Sequence, residues 1–308
     1  MCFQHEVPLC LAANLILSVS IVLINKIVYV RTQFPNITLT FIHFVITSLG
    51  IKLCEKCNIF QVKRVPLLQI VPLAISFCGF VVFTNLSLQF NTVGTYQILK
   101  TLTMPTIMLI QTFFYSRTFC VKIKLTLVPI SLGVFLNSAY DIKFNVAGTV
   151  YALIGVMVTS FYQVWVGEKQ REFQMNSMQL LYYQAPLSSL LLLFCVPMIE
   201  PPWAQDGLFN HNWSLYDLTL VLISGLIAFS VNLSIYWIIG NTSAVTYNVV
   251  GQLKFCLTLL GGYLIFMEPI LPIQFLGILI TMIGVSLYAY LKSQDHKAVS
   301  SLPYVLKK

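Results

Sequence analysis

The chain has few charged residues and no polar segment long enough to fold as a second domain. Charged residues make up 9% of its 308 residues and hydrophobic residues 57%, whereas a soluble globular domain has about 25% charged residues. This composition excludes a soluble globular protein. The hydrophobic runs have about the twenty residues that a helix needs to cross a bilayer, and they lack the alternating pattern of membrane β-barrels. The sequence therefore predicts an all-α integral membrane protein.

Sequence motifs of enzymes are also missing. The chain has no P-loop, no GxSxG, no HExxH and no pair of carboxylates, so hydrolytic or metal chemistry has no visible site. Its eight cysteines are scattered, mostly within or beside apolar runs, where a thiol behaves as a small hydrophobic group. We therefore predict no catalytic residue, no metal site and no cofactor.

Ten hydrophobic runs are long enough to be membrane-spanning helices, which predicts a single transmembrane domain over 1–291. The remaining residues, 292–308, are expected to form a disordered tail. The predicted spans are 9–28, 37–54, 67–88, 94–115, 125–139, 146–166, 178–198, 218–238, 244–266 and 273–291.

The basic residues predict the orientation of these spans. An even number of spans places both termini on one side of the membrane, and the loops on that side hold thirteen Lys and Arg residues against three on the other. The positive-inside rule identifies the richer side, and both termini, as cytosolic. Because orientation accounts for the formal net charge of +8, we predict no nucleic-acid partner.

Two N-glycosylation sequons begin at Asn36 and Asn212, in loops on the opposite side. A sequon this close to the membrane is weak evidence of a glycan. The sequence leaves open whether either asparagine is modified.

Two lysines lie inside the hydrophobic runs, Lys100 in the fourth and Lys254 in the ninth. On insertion scales such a charge costs roughly 2.5–3.5 kcal/mol near the bilayer centre. A similar Asn-Thr pair precedes both runs, which suggests a five-helix unit that occurs twice, over 9–141 and 146–291. Because five is odd, the second copy would be inverted relative to the first, as in many secondary transporters.

Each lysine shares a helix face with hydroxyl groups, whereas none of the ten acidic residues lies deep in a predicted span. Tyr96 and Thr103 are four residues before and three after Lys100. The ninth span repeats the arrangement with Tyr247, Gly251, Lys254 and Thr258. An intramembrane ammonium without a carboxylate must face water, lose its proton or receive an external anion. Two of them suit a substrate with about two negative charges, such as a phosphate ester. The alternative is structural, with each lysine bonded to helix carbonyls or reaching an interface.

The lack of intramembrane carboxylates also bears on energy coupling. Carriers driven by protons or sodium ions place Asp, Glu or His along the ion path, and only His43 in the second span qualifies. His43 is alternatively a hydrogen-bonded residue between helices. We therefore expect exchange of one anion for another. Asn25 and Lys26, at the end of the first span, are candidates for a gate or rim, or reach the interface.

The seventh span contains two neighbouring tyrosines and an amide just before Pro186. Tyr182, Tyr183 and Gln184 could stack on and hydrogen-bond a nucleobase. Packing of aromatic residues around a proline kink is an equally good interpretation.

Several motifs resemble the nucleotide-sugar and triose-phosphate carriers, a branch of the drug/metabolite transporter superfamily, and look closest to subfamily E of solute carrier family 35. The matching segments are FPNITLTFIHFVIT, SFCGFVVFTNLSL with TYQILK, YQVWVGEKQ, MQLLYYQAP and YNVVGQLKF. The resemblance implies ten helices in two inverted halves and a central site reached alternately from the cytosol and the Golgi lumen. It also implies exchange of a nucleotide sugar for a nucleoside monophosphate, with Tyr96, Lys100 and Lys254 at the site.

The chain also departs from these families. Guanosine-sugar carriers tend to have FYNN and GALNK where this chain has YYQA and GQLK, which disfavours guanine. Triose-phosphate carriers have arginine after the ninth-span lysine, where Phe255 stands here. We expect a Golgi antiporter of a phosphate-bearing anion, with the lipid bilayer as its other partner. A carrier of small phosphorylated metabolites and a non-transporting scaffold or regulator remain alternatives, and a homodimer is left open.

Overall fold

The computed structural model describes residues 3–32, 34–139, 145–203, 209, 213–266 and 271–301. The described structure is 86% helix, which confirms the predicted all-α class. A short 3-10 helix, Leu67–Gln69, precedes α3. The α-helices are α1 (Phe3–Thr32), α2 (Asn36–Lys56), α3 (Val71–Phe90), α4 (Val93–Lys100), α5 (Thr103–Tyr115), α6 (Val121–Ser138), α7 (Val146–Glu172), α8 (Ser177–Ile199), α9 (Leu215–Asn241), α10 (Ala244–Phe266) and α11 (Pro272–Ser301).

Eight helical segments in the described part of the chain are long and apolar enough to cross a membrane. They belong to α1, α2, α3, α6, α7, α8, α9 and α11. Many large apolar side chains on these helices are exposed, for example Leu125 on α6 and Leu226 on α9. Exposed apolar surface on helices of this length is what a bilayer covers. The chain is therefore a multi-pass membrane protein, as predicted.

The fourth predicted span, 94–115, is two helices instead of one. α4 ends at Lys100 and α5 begins at Thr103. Pro105 explains the break, because proline has no N–H to donate to the carbonyl four residues earlier and its ring crowds that carbonyl. The Thr101 carbonyl instead accepts a hydrogen bond from the Met104 N–H at 3.3 Å, a tighter turn than an α-helix makes.

Long-range helix contacts follow a regular pattern. α3 packs against α7 and α8, and α1 and α2 pack against α9. α5 contacts α7, and α1 contacts α10. α4 lies beside α6, and α10 beside α11. Three further pairs of helices are also in contact: α2 with α8, α5 with α10, and α6 with α11.

The backbones of α6 and α11 approach each other closely at two glycines. A Cβ built on Gly277 would lie 2.6 Å from the Gly133 carbonyl oxygen and 2.6 Å from Oδ1 of Asn137. Only glycine fits at this crossing, since a side chain would force the helices apart. Small residues allow such packing between membrane helices.

The last helix continues beyond the predicted end of the tenth span. α11 ends at Ser301, so the described part of the predicted tail, 292–301, is helical. No proline or glycine interrupts the sequence between Leu291 and Ser301, which is why nothing ends the helix earlier. Residues 302–308 lie outside the described residues.

Candidate functional site

A cleft lies between α3, α4, α5 and α7 at the break in the fourth span. Its volume is about 270 Å³. Tyr96 and Lys100 from α4 and Thr103 from α5 line it, so the three residues that we predicted to share a face lie together. The break places the end of one helix and the start of another at the cleft.

Lys100 is the charged residue of the cleft. Its ammonium nitrogen lies 5.5 Å from the centroid of the Tyr96 ring, within the range of a cation–π interaction. Lys100 is the last residue of α4, where the helix dipole also favours a positive charge. The Tyr96 ring and the dipole of α4 thus both stabilise this ammonium. Neither of these two interactions involves a carboxylate.

Three carboxylates of the described residues pair with other cations, those of Asp217, Glu168 and Glu172. Arg31 binds Asp217 at 2.9 Å, joining the end of α1 to the start of α9. Arg117 binds Glu168 of α7 at 2.6 Å. Both pairs lie at helix ends, away from Lys100. None of the ion pairs in the described part of the chain involves Lys100.

Lys254 lies on α10, which packs against α5, and it does not line the cleft. It is half-buried, and it lies close enough to Lys100 for the two charges to repel each other. Gly251, less than one turn earlier, borders open space: a Cβ built there would meet no atom within 4 Å. Gly251 is therefore not a point of close helix approach, and α10 faces an unfilled volume beside Lys254.

The other two site residues that we predicted on the ninth span are Tyr247 and Thr258. Tyr247 is half-buried and packs against the hydrophobic core. Thr258 belongs to α10, but its side chain lies outside the described residues.

The three residues predicted on the seventh span do not line the cleft at Lys100. Tyr182 packs against Phe60, with ring centroids 6.1 Å apart. The Tyr183 hydroxyl donates to the Lys63 carbonyl at 2.9 Å. Gln184 is fully buried between helices. The first two therefore contact the segment between α2 and α3, near one end of the bundle.

The gate and rim candidates are also separate from the cleft. His43 is buried, and its Nε2 lies 2.9 Å from the Ser224 hydroxyl of α9, as expected for a hydrogen-bonded residue between helices. Oδ1 of Asn25 is buried and has no hydrogen-bond partner among the described residues. Lys26 is half-buried in the same turn of α1.

Sequence reasoning missed the walls of the cleft that α3 and α7 provide. α3 contributes Phe83 and Thr84. α7 contributes Ala152, Gly155, Val156 and Thr159. These four residues have the spacing of one helix face, at positions i, i+3, i+4 and i+7. Their small size was a signal in the sequence, but a search for charged and aromatic groups does not find it.

A bundle of membrane helices with a cationic cleft at a discontinuous helix is the architecture of a secondary transporter. The chain belongs to the Triose-phosphate Transporter family, whose family model matches residues 6–289. This membership supports, at the level of the family, the prediction that the chain is not an enzyme.

Relatives with established names are similar along nearly the whole chain. UDP-xylose transporter 1 of Arabidopsis thaliana is 34% identical over 282 residues, which cover 91% of this chain and 82% of that protein. From the same plant, GDP-mannose transporter GONST5 is 29% identical and covers 89% of this chain. UDP-galactose transporter 1 is 28% identical, with the same coverage of this chain. These alignments cover 82% and 84% of the two relatives.

The fold has also been observed in a crystal structure. That chain is 14% identical, with a TM-score of 0.74, and the match covers 94% of this chain and 98% of the other. At this identity the likeness shows the fold alone.

Proposed function

We propose that this protein is an antiporter that exchanges a nucleotide sugar for a nucleoside monophosphate. The observation that carries the proposal is the placement of Lys100, in a cleft at the break of the fourth span and within electrostatic reach of Lys254. Relatives named as transporters of UDP-xylose, GDP-mannose and UDP-galactose support a nucleotide sugar as the substrate class.

The two lysines account for the phosphate groups in this proposal. Bringing two ammonium groups together in a partly dehydrated region is unfavourable, because their charges repel and water screens them less than in bulk. A substrate with two negative charges removes that repulsion and forms charge-assisted hydrogen bonds. Lys100 and Lys254 therefore neutralise the phosphates, with Tyr96, Thr103, Tyr247, Gly251 and Thr258 as their neighbours.

The helix contacts support two inverted repeats of five spans, with α4 and α5 counted as the fourth. Under that pairing α3 corresponds to α9 and α7 to α1, so the α3–α7 contact corresponds to α9–α1. Likewise α3–α8 corresponds to α9–α2, α5–α7 to α10–α1, and α4–α6 to α10–α11. These four contacts each have a counterpart, as expected for repeats over 9–141 and 146–291, whereas the α7–α9 contact has no counterpart of similar extent. Rocking of one repeat against the other would give alternating access.

The proposed location rests on the resemblance to nucleotide-sugar carriers, which implies the Golgi membrane. The proposed orientation, with both termini in the cytosol, rests on the loops of that side, which hold most of the basic residues. Tyr182 and Tyr183 would then lie near the cytosolic end of α8. In this proposal the two tyrosines contact the base or sugar at the entrance, separately from the phosphate cleft. Gln184, which is fully buried between helices, would reach the base or sugar only when those helices move apart. Asn25, Lys26 and His43 are proposed rim residues.

A carrier of small phosphorylated metabolites is the second candidate, and the narrowness of the cleft favours it. The 270 Å³ includes open solvent at the mouth of the cleft, and only about 10 Å³ admits the centre of a water molecule, so either substrate requires the walls to move apart. A triose phosphate requires less widening than a nucleotide sugar. The open space beside Gly251 provides additional room for the larger substrate.

Counterflow in proteoliposomes separates the two candidates. Vesicles that contain purified protein and uridine monophosphate are offered labelled UDP-xylose, UDP-galactose, triose phosphate or inorganic phosphate. We expect uptake of at least one UDP-sugar that depends on internal uridine monophosphate. Uptake of triose phosphate against internal phosphate, without uptake of any nucleotide sugar, would support the second candidate. Protein-free vesicles are the control.

A further inference from the structure

A second and wider opening lies between α3 and α5, where both helices pack against α7. Pro72 of α3, Tyr115 of α5 and Trp165 of α7 line it. About 690 Å³ of it admits the centre of a water molecule, against about 10 Å³ in the cleft at Lys100. The two openings share no lining residue. We call this second opening the α7 groove.

The α7 groove faces the lipid. Leu68, just before α3, and Phe114 of α5 are apolar and exposed beside it. One face of α7 carries apolar residues that are not buried, at a spacing of three or four, namely Ile154, Met157, Phe161 and Trp165. This face lies half a turn around α7 from the residues that line the cleft at Lys100. Exposed apolar side chains on a membrane-spanning helix contact acyl chains, so this apolar stripe leads from the groove into the hydrocarbon.

The mouth of the groove has the aromatic residues of a membrane–water interface. The ring centroids of Phe161 and Trp165 are 5.8 Å apart, and those of Phe114 and Phe161 are 6.2 Å apart. Tyr115 follows at the end of α5. Trp and Tyr are enriched where hydrocarbon meets lipid headgroups. The groove therefore extends from the depth of acyl chains to the depth of headgroups.

Charged side chains of the last turns of α7 border the groove at the headgroup end. Lys169 pairs with Glu172 at 2.7 Å, and Arg117 pairs with Glu168 at 2.6 Å. Arg171 lies 3.6 Å from the same Glu168, which is too far for a hydrogen bond. Three cations thus share two carboxylates, which leaves one positive charge in excess. Because Arg171 makes no side-chain hydrogen bond within the described part of the chain, its guanidinium donors remain for a ligand.

We propose that the α7 groove is a binding site for one anionic phospholipid. Its phosphodiester oxygens accept hydrogen bonds from Arg171, whose planar guanidinium suits phosphate, and an acyl chain lies along the apolar stripe of α7. A zwitterionic headgroup brings an ammonium of its own and leaves the excess charge of the groove without a counterion. Basic pockets between helices on the cytoplasmic side bind anionic headgroups, and the groove lies on that side in the proposed orientation.

The bound lipid would connect the two proposed repeats. It contacts α3 and α5, which belong to the first repeat, and α7, which belongs to the second. The site itself does not depend on the proposed transport activity.

Titration of the purified full chain in detergent, followed by native mass spectrometry, tests the site. Phosphatidylserine is the anionic probe, and phosphatidylcholine with the same acyl chains is the zwitterionic one. Arg171→Gln removes the proposed phosphate contact. Gln69→Trp fills the groove, which Gln69 lines, and leaves its charges in place. Lys124→Gln is the matched control, because Lys124 is exposed on α6, which does not line the groove.

We expect the wild type to bind one phosphatidylserine at least fivefold more tightly than phosphatidylcholine. Arg171→Gln should weaken the binding of phosphatidylserine about fivefold, since one cation near a membrane surface contributes about that factor. Gln69→Trp should weaken the binding of both lipids. Lys124→Gln should bind both as the wild type does, and all variants should keep the melting temperature of the wild type without added lipid.

Three results would overturn the site. Equal binding of the two lipids by the wild type would show that the charge of the headgroup is not recognised. An equal loss in Arg171→Gln and Lys124→Gln would show general attraction to a basic surface. Wild-type affinity in both Arg171→Gln and Gln69→Trp would place the lipid elsewhere. None of these results bears on the antiporter proposal, which fails instead if no nucleotide sugar is exchanged in proteoliposomes.

Discussion

At the scale of single residues, Lys100 and Lys254 are charged positions within hydrophobic runs that a bilayer surrounds. Each charge costs roughly 2.5–3.5 kcal/mol in a membrane helix. The structure places Lys100 above an aromatic ring and near Lys254, in a cleft between helices. Lys100 thus lies between helices inside the bundle.

The open space beside Gly251 gives a prediction about the substrate path. Gly251→Phe should lower counterflow at least tenfold, because the ring occupies the space next to Lys254. The melting temperature should change little, since no atom lies within 4 Å of the new Cβ. Gly251→Ala is the matched control and should retain transport. Normal transport by Gly251→Phe would show that the substrate does not pass there.

Asn36 is predicted to carry no glycan, although it begins a sequon. Its Oδ1 accepts a hydrogen bond from the Tyr29 hydroxyl at 2.7 Å, and its Nδ2 donates to Asn85. Thr38 is buried, and its hydroxyl donates to Glu200 at 3.0 Å. A glycan on Asn36 would replace one of the two Nδ2 hydrogens and place a bulky sugar beside Asn85.

The measurement is electrophoretic mobility before and after removal of N-linked glycans, with Asn36→Gln as the comparison. A shift that is present in the wild type and lost in Asn36→Gln would contradict the prediction.

At the scale of elements, hydropathy predicts the spans well because each helix must cover a fixed thickness of hydrocarbon. The break at Lys100 was missed, although Pro105 is visible in the sequence, because a single missing N–H does not change the hydropathy of a run. The positions of Tyr182 and Tyr183 could not be predicted. The periodicity of one helix identifies its faces and does not identify the helix or loop that each face meets.

The crossing of α6 and α11 gives a prediction about stability. Gly277→Val should lower the free energy of unfolding by about 1–3 kcal/mol, because its side chain would overlap the Gly133 carbonyl oxygen. Gly251→Val makes the same chemical change at an open position and should be nearly neutral. Thermal unfolding in detergent measures both. Equal stability of the two variants would mean that α6 and α11 do not approach this closely.

At the scale of the whole molecule, the matched helix contacts and the two lysines belong to one arrangement, with one lysine in each proposed repeat. Hydropathy predicted ten spans, whereas eight helical segments of the described residues are long and apolar enough to cross a membrane. A short Asn-Thr similarity suggested the repeat. The contacts α3–α7 and α9–α1 could not be predicted, because packing between distant helices depends on side-chain shapes over the whole bundle.

The orientation of the molecule can be tested with native thiols. Cys57 and Cys120 are exposed in loops that we place on the cytosolic side. In sealed Golgi vesicles with the cytosolic face outward, an impermeant thiol reagent should label a variant that retains only Cys57. Phe209→Cys in a cysteine-free background should react only after permeabilisation. The reverse pattern would contradict the assignment of both termini to the cytosol.

Counterflow by lysine variants tests the central claim most directly. Proteoliposomes loaded with uridine monophosphate are offered labelled UDP-sugar and contain wild type, Lys100→Gln, Lys254→Gln or Lys124→Gln. Lys124 is exposed and lies on α6 outside the cleft, so it is the matched control. We expect at least tenfold slower exchange by the first two variants, unchanged melting temperatures and normal exchange by Lys124→Gln. Wild-type exchange by both Lys100→Gln and Lys254→Gln would contradict the account.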